Sequence, residues 1–358
     1  MSDYWNCRIK NLSPYIPGEQ PRGSSFIKLN TNENPYPPSP KAIEAIQKAA
    51  AGNLRLYPDP ECLEFREAVA ERYGVKPEQV FAGNGSDEVL AFAFGAFFGG
   101  ANSAPALFPD ITYSFYPVYA NLWNIPFRAV PLDENFLINV SDYEIPSGGA
   151  VFPNPNAPTG IAVPLGGIIS LAGCLEKQKK VFIVDEAYAA FGAESAVRHI
   201  SQYPNLLTVH TLSKSASLAG LRAGFAIGNE DLIEGLRRMR DSFNSYTLDR
   251  LALAGAAAAV LDSAYYDAIN RRVIATREKT AEALSGLGFT VLPSSANFIF
   301  IKAPGIGGAE FYAALRENGI LARHFNKNRI ADFLRVSIGT GEQMDMFIDV
   351  CKKITGEV

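Results

Sequence analysis

Histidine and cysteine are scarce in this sequence, and their scarcity excludes several kinds of site. The 358 residues contain three histidines and four cysteines. They are His199, His210 and His324, and Cys7, Cys62, Cys174 and Cys351. No histidines form an HxH or HxxxH pair, and no cysteines have the spacing of zinc ligands or a disulfide framework. We therefore expect neither a metal site nor a cysteine nucleophile, and scattered cysteines favour a reduced, cytoplasmic setting.

Long hydrophobic runs and an excess of basic charge are also missing. The two most apolar stretches, VLAFAFGAFFGGA (89–101) and LALAGAAAAVL (251–261), are too short to span a bilayer and predict core helices. The first eighteen residues lack the apolar run of a signal peptide. The formal net charge of −4 disfavours nucleic acid or an anionic membrane as the main partner. Any anion that the protein binds must then be held by a few individually positioned basic side chains.

Hydrophobic residues make up 47% of the chain, which is enough for a sizeable core and suggests two domains. Helical patterns at 40–51, 60–73 and 86–98 alternate with short apolar runs typical of buried strands. These runs are QVFAG, APALF, VFP, KVFIVDE, LLTVHT and AGFAIG. The alternation predicts an α/β fold with a mostly parallel sheet.

From about residue 250 the pattern changes to long helices followed by TVLPSSANFIFIKA, another helix and FLRVSIGT. This change predicts a second, smaller α/β domain that the N-terminal segment joins. We assign residues 30–250 to a large domain, and residues 1–29 with 251–358 to the small domain.

Polar residues follow several predicted strands. They are Asn84–Asp87, Asn154–Asn156, Asp185–Tyr188 and Ser213–Lys214. In open α/β sheets, ligands bind at the carboxyl ends of the strands. We therefore expect these residues on one edge of the sheet.

The GNGSDE segment opens a helix, which Ser86 could cap. Backbone amides at a helix N-terminus bind phosphate, so Gly85, Ser86 and Asp87 are candidate phosphate ligands, and an ordinary capping turn is the alternative. Glu88 stands where a GxGxxG fingerprint has its third glycine, and the chain has no GxxxxGK[ST] motif. Both absences disfavour a nucleotide fingerprint.

Asp185 and Lys214 are charged residues at the ends of apolar strands. A buried carboxylate is costly unless it meets a cation or several donors. Asp185 is therefore either a capped structural aspartate or the partner of a protonated ring nitrogen, and Tyr188 can direct its phenol at the same ligand. Lys214 is either a snorkelling surface lysine or an amine with a lowered pKa that forms an imine with an aldehyde. Ser213 and Arg222 suit a phosphate.

A phosphate, a protonated heteroaromatic nitrogen and an aldehyde occur together in pyridoxal 5′-phosphate (PLP). With these residues in this order, the chain resembles the fold-type I, PLP-dependent aminotransferases, and is most similar to the histidinol-phosphate aminotransferase family. The resemblance covers nearly the whole chain. Its motifs are LSPYIPG, KLNTNENPYPPSP, LYPDP, GNGSDE, PNAPTG, VDEAY, TLSKSASLAGLRAG, ANFIF and LRVSIGT. The fold it implies has a large domain, with a mostly parallel seven-stranded sheet between helices, and a smaller α/β domain.

The resemblance implies a role for each site residue. Lys214 forms the imine, Asp185 pairs with the pyridine nitrogen, Tyr188 bonds the ring hydroxyl and Tyr113 stacks on the ring. The remaining cofactor-binding residues, most of them around the phosphate, are Gly85, Ser86, Asp87, Thr211, Ser213 and Arg222.

The resemblance also implies a homodimer with shared active sites, because Tyr57 would reach the phosphate of the neighbouring subunit's cofactor. It also implies that Arg335 grips the anionic end of the substrate. Around the distal group of the substrate we expect Tyr15, Asn297, Arg323 and Arg335.

One position departs from the family pattern. The family often has an asparagine directly before Pro-Thr-Gly, where it bonds the ring hydroxyl, and this chain has Ala157 there. We predict that Asn156, one residue earlier, takes over the contact.

The implied reaction is the transfer of an amino group from histidinol phosphate to 2-oxoglutarate in histidine biosynthesis. Two alternatives stay open: an aminotransferase for aromatic or other amino acids, and a decarboxylase of a phosphorylated amino acid with the same fold. A PLP-binding transcriptional regulator is disfavoured, because it needs an appended DNA-binding domain and a basic surface.

Overall fold

The computed structural model describes residues 3–6, 9–10, 12–21, 26–100 and 103–356. Its first eight strands are β1 (Ile27–Lys28), β2 (Val80–Gly83), β3 (Ala106–Pro109), β4 (Phe127–Val130), β5 (Gly149–Pro153), β6 (Phe182–Asp185), β7 (Leu206–Thr211) and β8 (Gly224–Gly228). Strands β2–β8 form one seven-stranded sheet in the order β2-β8-β7-β6-β5-β3-β4. Strand β8 runs opposite to the other six strands of this sheet. The predicted mostly parallel sheet is confirmed.

Seven helices flank the strands of this sheet along the chain. They are α1 (Pro40–Ala50), α2 (Leu63–Tyr73), α3 (Gly85–Phe97), α4 (Tyr116–Leu122), α5 (Leu165–Lys177), α6 (Glu230–Asp241) and α7 (Arg250–Leu261). Every residue of β2, β3 and β5–β8 is buried, as expected for strands covered on both faces. Helix α1 has a side-chain cap, since Ser39 accepts a hydrogen bond from the amide of Ala42.

Helix α3 begins one residue earlier than predicted. Asn84 occupies the capping position, so the expectation that Ser86 caps the helix is wrong. The Asn84 side chain does not cap the helix either, because its amide donates to the carbonyl of Thr247 at 3.2 Å. The first turn of α3 is therefore left without a side-chain cap.

The rest of the chain forms a second α/β layer. It contains α8 (Ser263–Gly286), β9 (Thr290–Val291), β10 (Phe298–Lys302), α9 (Gly308–Glu317), β11 (Ile320–Leu321), β12 (Arg323–His324), β13 (Phe333–Ser337) and α10 (Gly341–Thr355). Strands β12-β13-β10-β9 form an antiparallel sheet, and β1 pairs in parallel with β11. The N-terminal strand thus joins the C-terminal layer, while α7 packs on α1 and α2. The division into residues 30–250 and 1–29 with 251–358 stays a prediction.

The register of the large sheet brings several strand ends to one level. Pro153 at the end of β5 is paired with Asp185 at the end of β6, which in turn is paired with Val209 of β7. At the far side, the end of β2 meets the start of β8, where Gly83 is paired with Gly224. The polar residues after these strands therefore share one edge, as the sequence predicts.

Within the described ranges, none of the helices combines the length and hydrophobicity that a bilayer crossing requires. The same residues contain no cluster of three or more His, Cys, Asp or Glu side chains that could hold a metal ion. Cys62, Cys174 and Cys351 are free thiols, and Cys7 lies outside the described residues.

Candidate active site

A cavity of about 340 Å³ opens at this edge of the sheet, between the two layers. It is lined by most of the residues that the sequence singles out. These are Tyr15, Ser86, Asp87, Tyr113, Asp185, Tyr188, Thr211, Ser213, Lys214, Arg222, Arg323 and Arg335. Gly85 lies beside it, against Arg222. Residues from five strand ends and from the small sheet thus converge on one space.

Lys214 follows β7, and its amine lies within the cavity. The amine donates a hydrogen bond to the carbonyl oxygen of Thr31 at 2.9 Å. Burial, together with the nearby guanidinium of Arg335, lowers the pKa of Lys214 to about 8, against the opposing influence of Glu33 and Asp87. A substantial fraction of this amine is therefore neutral and nucleophilic near pH 8.

Four consecutive residues, Thr31–Asn34, hold the lysine and its surroundings. Thr31 accepts from the Lys214 amine, and the side-chain amide of Asn34 donates to the Lys214 carbonyl at 3.1 Å. Asn32 donates to the hydroxyl of Tyr188 at 3.0 Å, and Glu33 lines the cavity. Sequence reasoning used this TNEN stretch only as a family motif and assigned it no role. The available signal was a run of four polar residues directly before Pro35.

Asp185 is 4% exposed and ends β6. Its Oδ1 accepts from the backbone amide of Ala187 at 3.1 Å, and its Oδ2 accepts from the hydroxyl of Tyr116 at 3.0 Å. Burial raises the pKa of Asp185 to about 6, and these two hydrogen bonds oppose the rise. Among the described residues it forms no salt bridge, so this carboxylate can receive a cationic ligand group.

The phosphate end of the predicted site is a cradle around the start of α3. Gly85 has a φ of +76°, and a Cβ there would lie 2.5 Å from Nη2 of Arg222. Arg222 donates to Ser213 Oγ at 3.3 Å and forms an ion pair with Asp87 at 3.1 Å. Gly224 lets β8 approach closely, because a Cβ there would lie 2.5 Å from the amide nitrogen of Ser86. An uncapped helix start beside a guanidinium and a hydroxyl suits a phosphate.

The remaining predicted cofactor contacts on the cavity wall are also held by hydrogen bonds. The Tyr113 hydroxyl donates to Oδ1 of Asp87 at 2.6 Å, and its ring faces the cavity. Thr211 and Ser213 are joined by their hydroxyls at 3.0 Å. Tyr188 is buried to 8% exposure, with its ring edge-on to Phe298.

Arg323 and Arg335 lie side by side on neighbouring strands. They are Cα partners in the β12–β13 ladder, and Phe325 lies within 5.7 Å of one guanidinium and 5.6 Å of the other. Among the described residues, neither forms a salt bridge with a carboxylate. Arg335 donates to the carbonyl of Asn30 at 3.0 Å, while its buried Nε has no partner there. Two half-buried cations without a counter-ion indicate that the cavity takes an anion.

The N-terminal segment (residues 12–21) forms the outer wall of the cavity. Tyr15 stacks on Phe115 with ring centroids 4.3 Å apart. Arg323 donates to the carbonyl of Ile16 at 3.1 Å, and Glu19 pairs with Arg316 at 2.9 Å. The segment is thus tied to the small domain through strand β12 and helix α9.

Two residues predicted to line this subunit's own site do not line the cavity. Asn156 donates to the Ile111 carbonyl and Thr159 hydroxyl at 3.0 and 3.1 Å, and its Oδ1 accepts from Thr112. It does not line the cavity, whereas Ala157 does. The geometry therefore does not support the prediction that Asn156 takes over the ring-hydroxyl contact, because its amide is already engaged.

Asn297 is the second predicted site residue that does not line the cavity. It is fully buried and donates to the carbonyl of Asn32 at 2.9 Å. It supports the TNEN stretch from behind and does not line the cavity in the described part of the chain.

Tyr57 lies on the surface, away from the cavity. It is 77% exposed and stacks on Tyr246 with ring centroids 4.5 Å apart. Its predicted contact is with a neighbouring subunit, so its role stays a prediction.

The chain resembles known proteins over nearly its full length. The family model described as aminotransferase class I and II matches residues 24–350. A histidinol-phosphate aminotransferase of Pseudomonas putida (strain W619) is 54% identical over 349 residues, which are 98% of this chain and 99% of that protein. One of Acetobacter pasteurianus is 53% identical over 355 residues, covering 99% and 98%.

Among solved structures, the histidinol-phosphate aminotransferase of Sinorhizobium meliloti in complex with pyridoxal 5′-phosphate superposes with a TM-score of 0.86. It is 21% identical and covers 99% of both chains. At this identity the likeness concerns the fold, while the relatives above 50% identity carry the likeness in sequence.

Proposed function

The chain belongs to the class I and II aminotransferase family, and on this premise we propose that it is a histidinol-phosphate aminotransferase with 2-oxoglutarate as acceptor. As a family member it is a PLP-dependent transferase that moves amino groups between small molecules. The proposal concerns the donor, the role of each site residue and the assembly.

The pair Arg323 and Arg335 carries the choice of donor. Both guanidinium groups line the same cavity as Lys214 and lie on paired strands. Guanidinium groups bind phosphate and carboxylate through charge-assisted hydrogen bonds. A phosphate dianion can engage both arginines at once, whereas a single carboxylate depends mainly on Arg335. The curated relatives bear the name histidinol-phosphate aminotransferase, which agrees with a phosphorylated donor.

The residues of the cavity fit the cofactor. The cradle of Gly85, Ser213 and Arg222 would hold its phosphate, and Asp185 would face its ring nitrogen. Tyr113 would stack on its ring and Tyr188 would bond its ring hydroxyl. When bound, pyridoxal 5′-phosphate supplies an aldehyde for the amino group and a ring that withdraws electrons from the substrate carbon.

The chain's own groups then move and hold the protons. Lys214, whose pKa is lowered to about 8, would carry a proton to and from the substrate carbon as a general acid–base when the cofactor is bound. The carbonyl of Thr31, which accepts from the Lys214 amine at 2.9 Å, would orient that amine during the proton transfer. Asp185 keeps a proton on the ring nitrogen, because its buried carboxylate gains most from a cation beside it.

We further propose a homodimer in which Tyr57 completes the partner's cofactor site. Several large apolar side chains near Tyr57 are exposed, which is unusual unless they are covered. They are Leu54, Leu56, Phe243 and Tyr246. A cavity of about 850 Å³ lies between α1, α2 and α7, and its lining includes Asn53 and Pro58, the chain neighbours of Leu54 and Tyr57. The free thiols favour the reducing cytoplasm as the compartment.

The experiment is a comparison of amino donors with 2-oxoglutarate as acceptor, read out as glutamate formed. We expect kcat/KM for histidinol phosphate to exceed that for phenylalanine and aspartate, with the Lys214→Ala variant as the background. A higher value for phenylalanine would replace the proposal by an aromatic aminotransferase. Release of CO₂ from an O-phosphorylated amino acid, without glutamate formation, would replace it by a decarboxylase.

A further inference from the structure

Tyr116 is a fully buried tyrosine whose hydroxyl faces the active site from behind. It is the first residue of α4 and has 0% exposure. Its hydroxyl donates to Oδ2 of Asp185 at 3.0 Å. The ring packs among aromatic residues of the core, with Phe94 and Phe108 at centroid distances of 5.8 and 5.9 Å. A buried tyrosine hydroxyl needs a partner, and this one is directed at a carboxylate of the site.

Tyr116 also contacts the residue that would stack on the cofactor. Its ring meets that of Tyr113 edge to face, at 5.8 Å and 87°. Tyr113 in turn donates to Asp87 at 2.6 Å, and Asp87 pairs with Arg222. One side chain therefore supports both the carboxylate at the ring nitrogen and the aromatic face of the ring.

The two donors to Asp185 fix its orientation. With Ala187 on Oδ1 and Tyr116 on Oδ2, the carboxyl group cannot rotate without losing a hydrogen bond. The other titratable groups that face it are acidic or neutral at pH 7, and they come from α3, α4 and the turn after β6. They are Asp87, Tyr119, Glu186 and Tyr188. Tyr116 is thus the one described side chain that donates a hydrogen bond to this carboxylate.

We propose that Tyr116 is a positioning residue for Asp185, holding the carboxylate ionised and aimed at the cofactor's ring nitrogen. The inference rests on the proposed role of Asp185, and adds a residue that no sequence motif assigned. It predicts that the hydroxyl, and not the ring, sets the pH range over which the site accepts its cofactor.

The consequence concerns the acid limb of cofactor binding, which is the low-pH range where cofactor affinity falls as Asp185 becomes protonated. Loss of the Tyr116 hydroxyl should shift this limb. A hydrogen bond to an ionised carboxylate favours the charged form, so its loss raises the pKa of Asp185 above its present value of about 6. In Tyr116→Phe, cofactor affinity should therefore begin to fall at a higher pH than in the unsubstituted protein. At pH 7 the loss should be on the order of tenfold, typical of one hydrogen bond to a charged group.

Tyr119 offers a matched control on the same helix. It is 4% exposed, and its hydroxyl has no partner among the described residues. Tyr119→Phe makes the same chemical change in α4 without removing a bond to Asp185. The measurement is the dissociation constant of PLP from pH 5 to 8, followed by quenching of tryptophan fluorescence, with thermal unfolding of each cofactor-free variant.

We expect the acid limb to move upward in Tyr116→Phe and to stay in place in Tyr119→Phe. In an Asp185→Asn background, Tyr116→Phe should change the affinity less than about twofold, because no carboxylate is left to stabilise. An unmoved limb in Tyr116→Phe, or an equal loss at every pH in both backgrounds, would overturn the inference. If the unsubstituted protein bound no PLP, the proposed function itself would fail, which is a separate result.

Discussion

Replacing Arg323 by alanine should separate a phosphorylated donor from a carboxylate donor. Arg323 and Arg335 are paired across β12 and β13, and both line the cavity. A phosphate dianion that bridges them loses one charge-assisted contact in Arg323→Ala. Such a contact is worth about 1.5–3 kcal/mol, or roughly tenfold to 150-fold in affinity. Histidinol phosphate should lose that factor in kcat/KM, whereas glutamate should lose much less, and Arg335→Ala should impair both donors.

Arg323 has a second contact that needs its own control. It also donates to the Ile16 carbonyl, so its removal loosens the N-terminal segment over the cavity. Arg316 holds the same segment through Glu19 at 2.9 Å and is not part of the cavity wall in the described chain. Arg316→Ala therefore loosens the segment without removing a phosphate contact, and it should affect the two donors alike.

The assay is the rate of each half-reaction at subsaturating donor, with histidinol phosphate and glutamate measured on the same enzyme preparation. The informative quantity is the ratio of the two losses for each variant. Equal losses for both donors in Arg323→Ala would refute the bridging geometry and favour a general amino-acid aminotransferase. If the ratio of the two losses in Arg316→Ala were as large as in Arg323→Ala, the loss of donor discrimination would come from the loosened N-terminal segment.

Three further predictions concern Lys214, Asp185 and Tyr57. Borohydride reduction of the holoenzyme should fix the cofactor on the peptide that contains Lys214, and Lys214→Ala should abolish transamination with the fold retained; a label on another lysine would contradict the assignment. Burial raises the pKa of Asp185 from 3.8 to about 6, so the stability this group contributes at low pH is lost as pH rises through 6. Asp185→Asn should thus stabilise the cofactor-free protein at pH 7 by roughly 3 kcal/mol, but not at pH 3, while losing most activity; equal unfolding midpoints at pH 7 would argue against the buried charge. Mixing Lys214→Ala subunits with subunits silenced at Tyr57 should restore activity in hybrids with one intact site, and no recovery under subunit exchange would rule out shared sites.

The large sheet and one edge of the site are predictable because their signals are local. The run KVFIVDE predicts a buried strand that ends in a carboxylate, and Asp185 ends β6 as expected. Apolar runs bounded by turn residues likewise predict β7 and β8. Lys214 follows the end of β7, and Arg222 precedes the start of β8. Strand ends in one parallel sheet must meet at one edge, so the convergence follows from topology alone.

Contacts between distant segments could not be predicted in this way. Thr31 and Lys214 are separated by 183 positions, and their hydrogen bond depends on how the N-terminal stretch crosses the edge of the sheet. The pairing of Arg323 with Arg335 depends on the register of β12, a strand of two residues that has no periodic signal. A buried tyrosine such as Tyr116 is expected to need a hydrogen-bond partner, but the sequence does not indicate which residue that partner is.

Asn156 shows the limit of transferring a contact by sequence neighbourhood. Adjacent residues in an extended turn point in different directions, so a neighbour of Ala157 does not reach the same space. In the structure, the Asn156 amide is used to hold Ile111 and Thr159. The contact with the ring hydroxyl that we propose for Tyr188 does not depend on Asn156, and the Tyr188 hydroxyl accepts a hydrogen bond from Asn32.

The most direct test of the central claim is a titration of the holoenzyme with one amino donor at a time, in the absence of an acceptor. Loss of the visible absorbance of the bound cofactor reports the first half-reaction. Histidinol phosphate is predicted to cause this loss at a lower concentration than glutamate, phenylalanine or aspartate. If histidinol phosphate leaves the spectrum unchanged while one of the other donors bleaches it, the proposed donor is wrong.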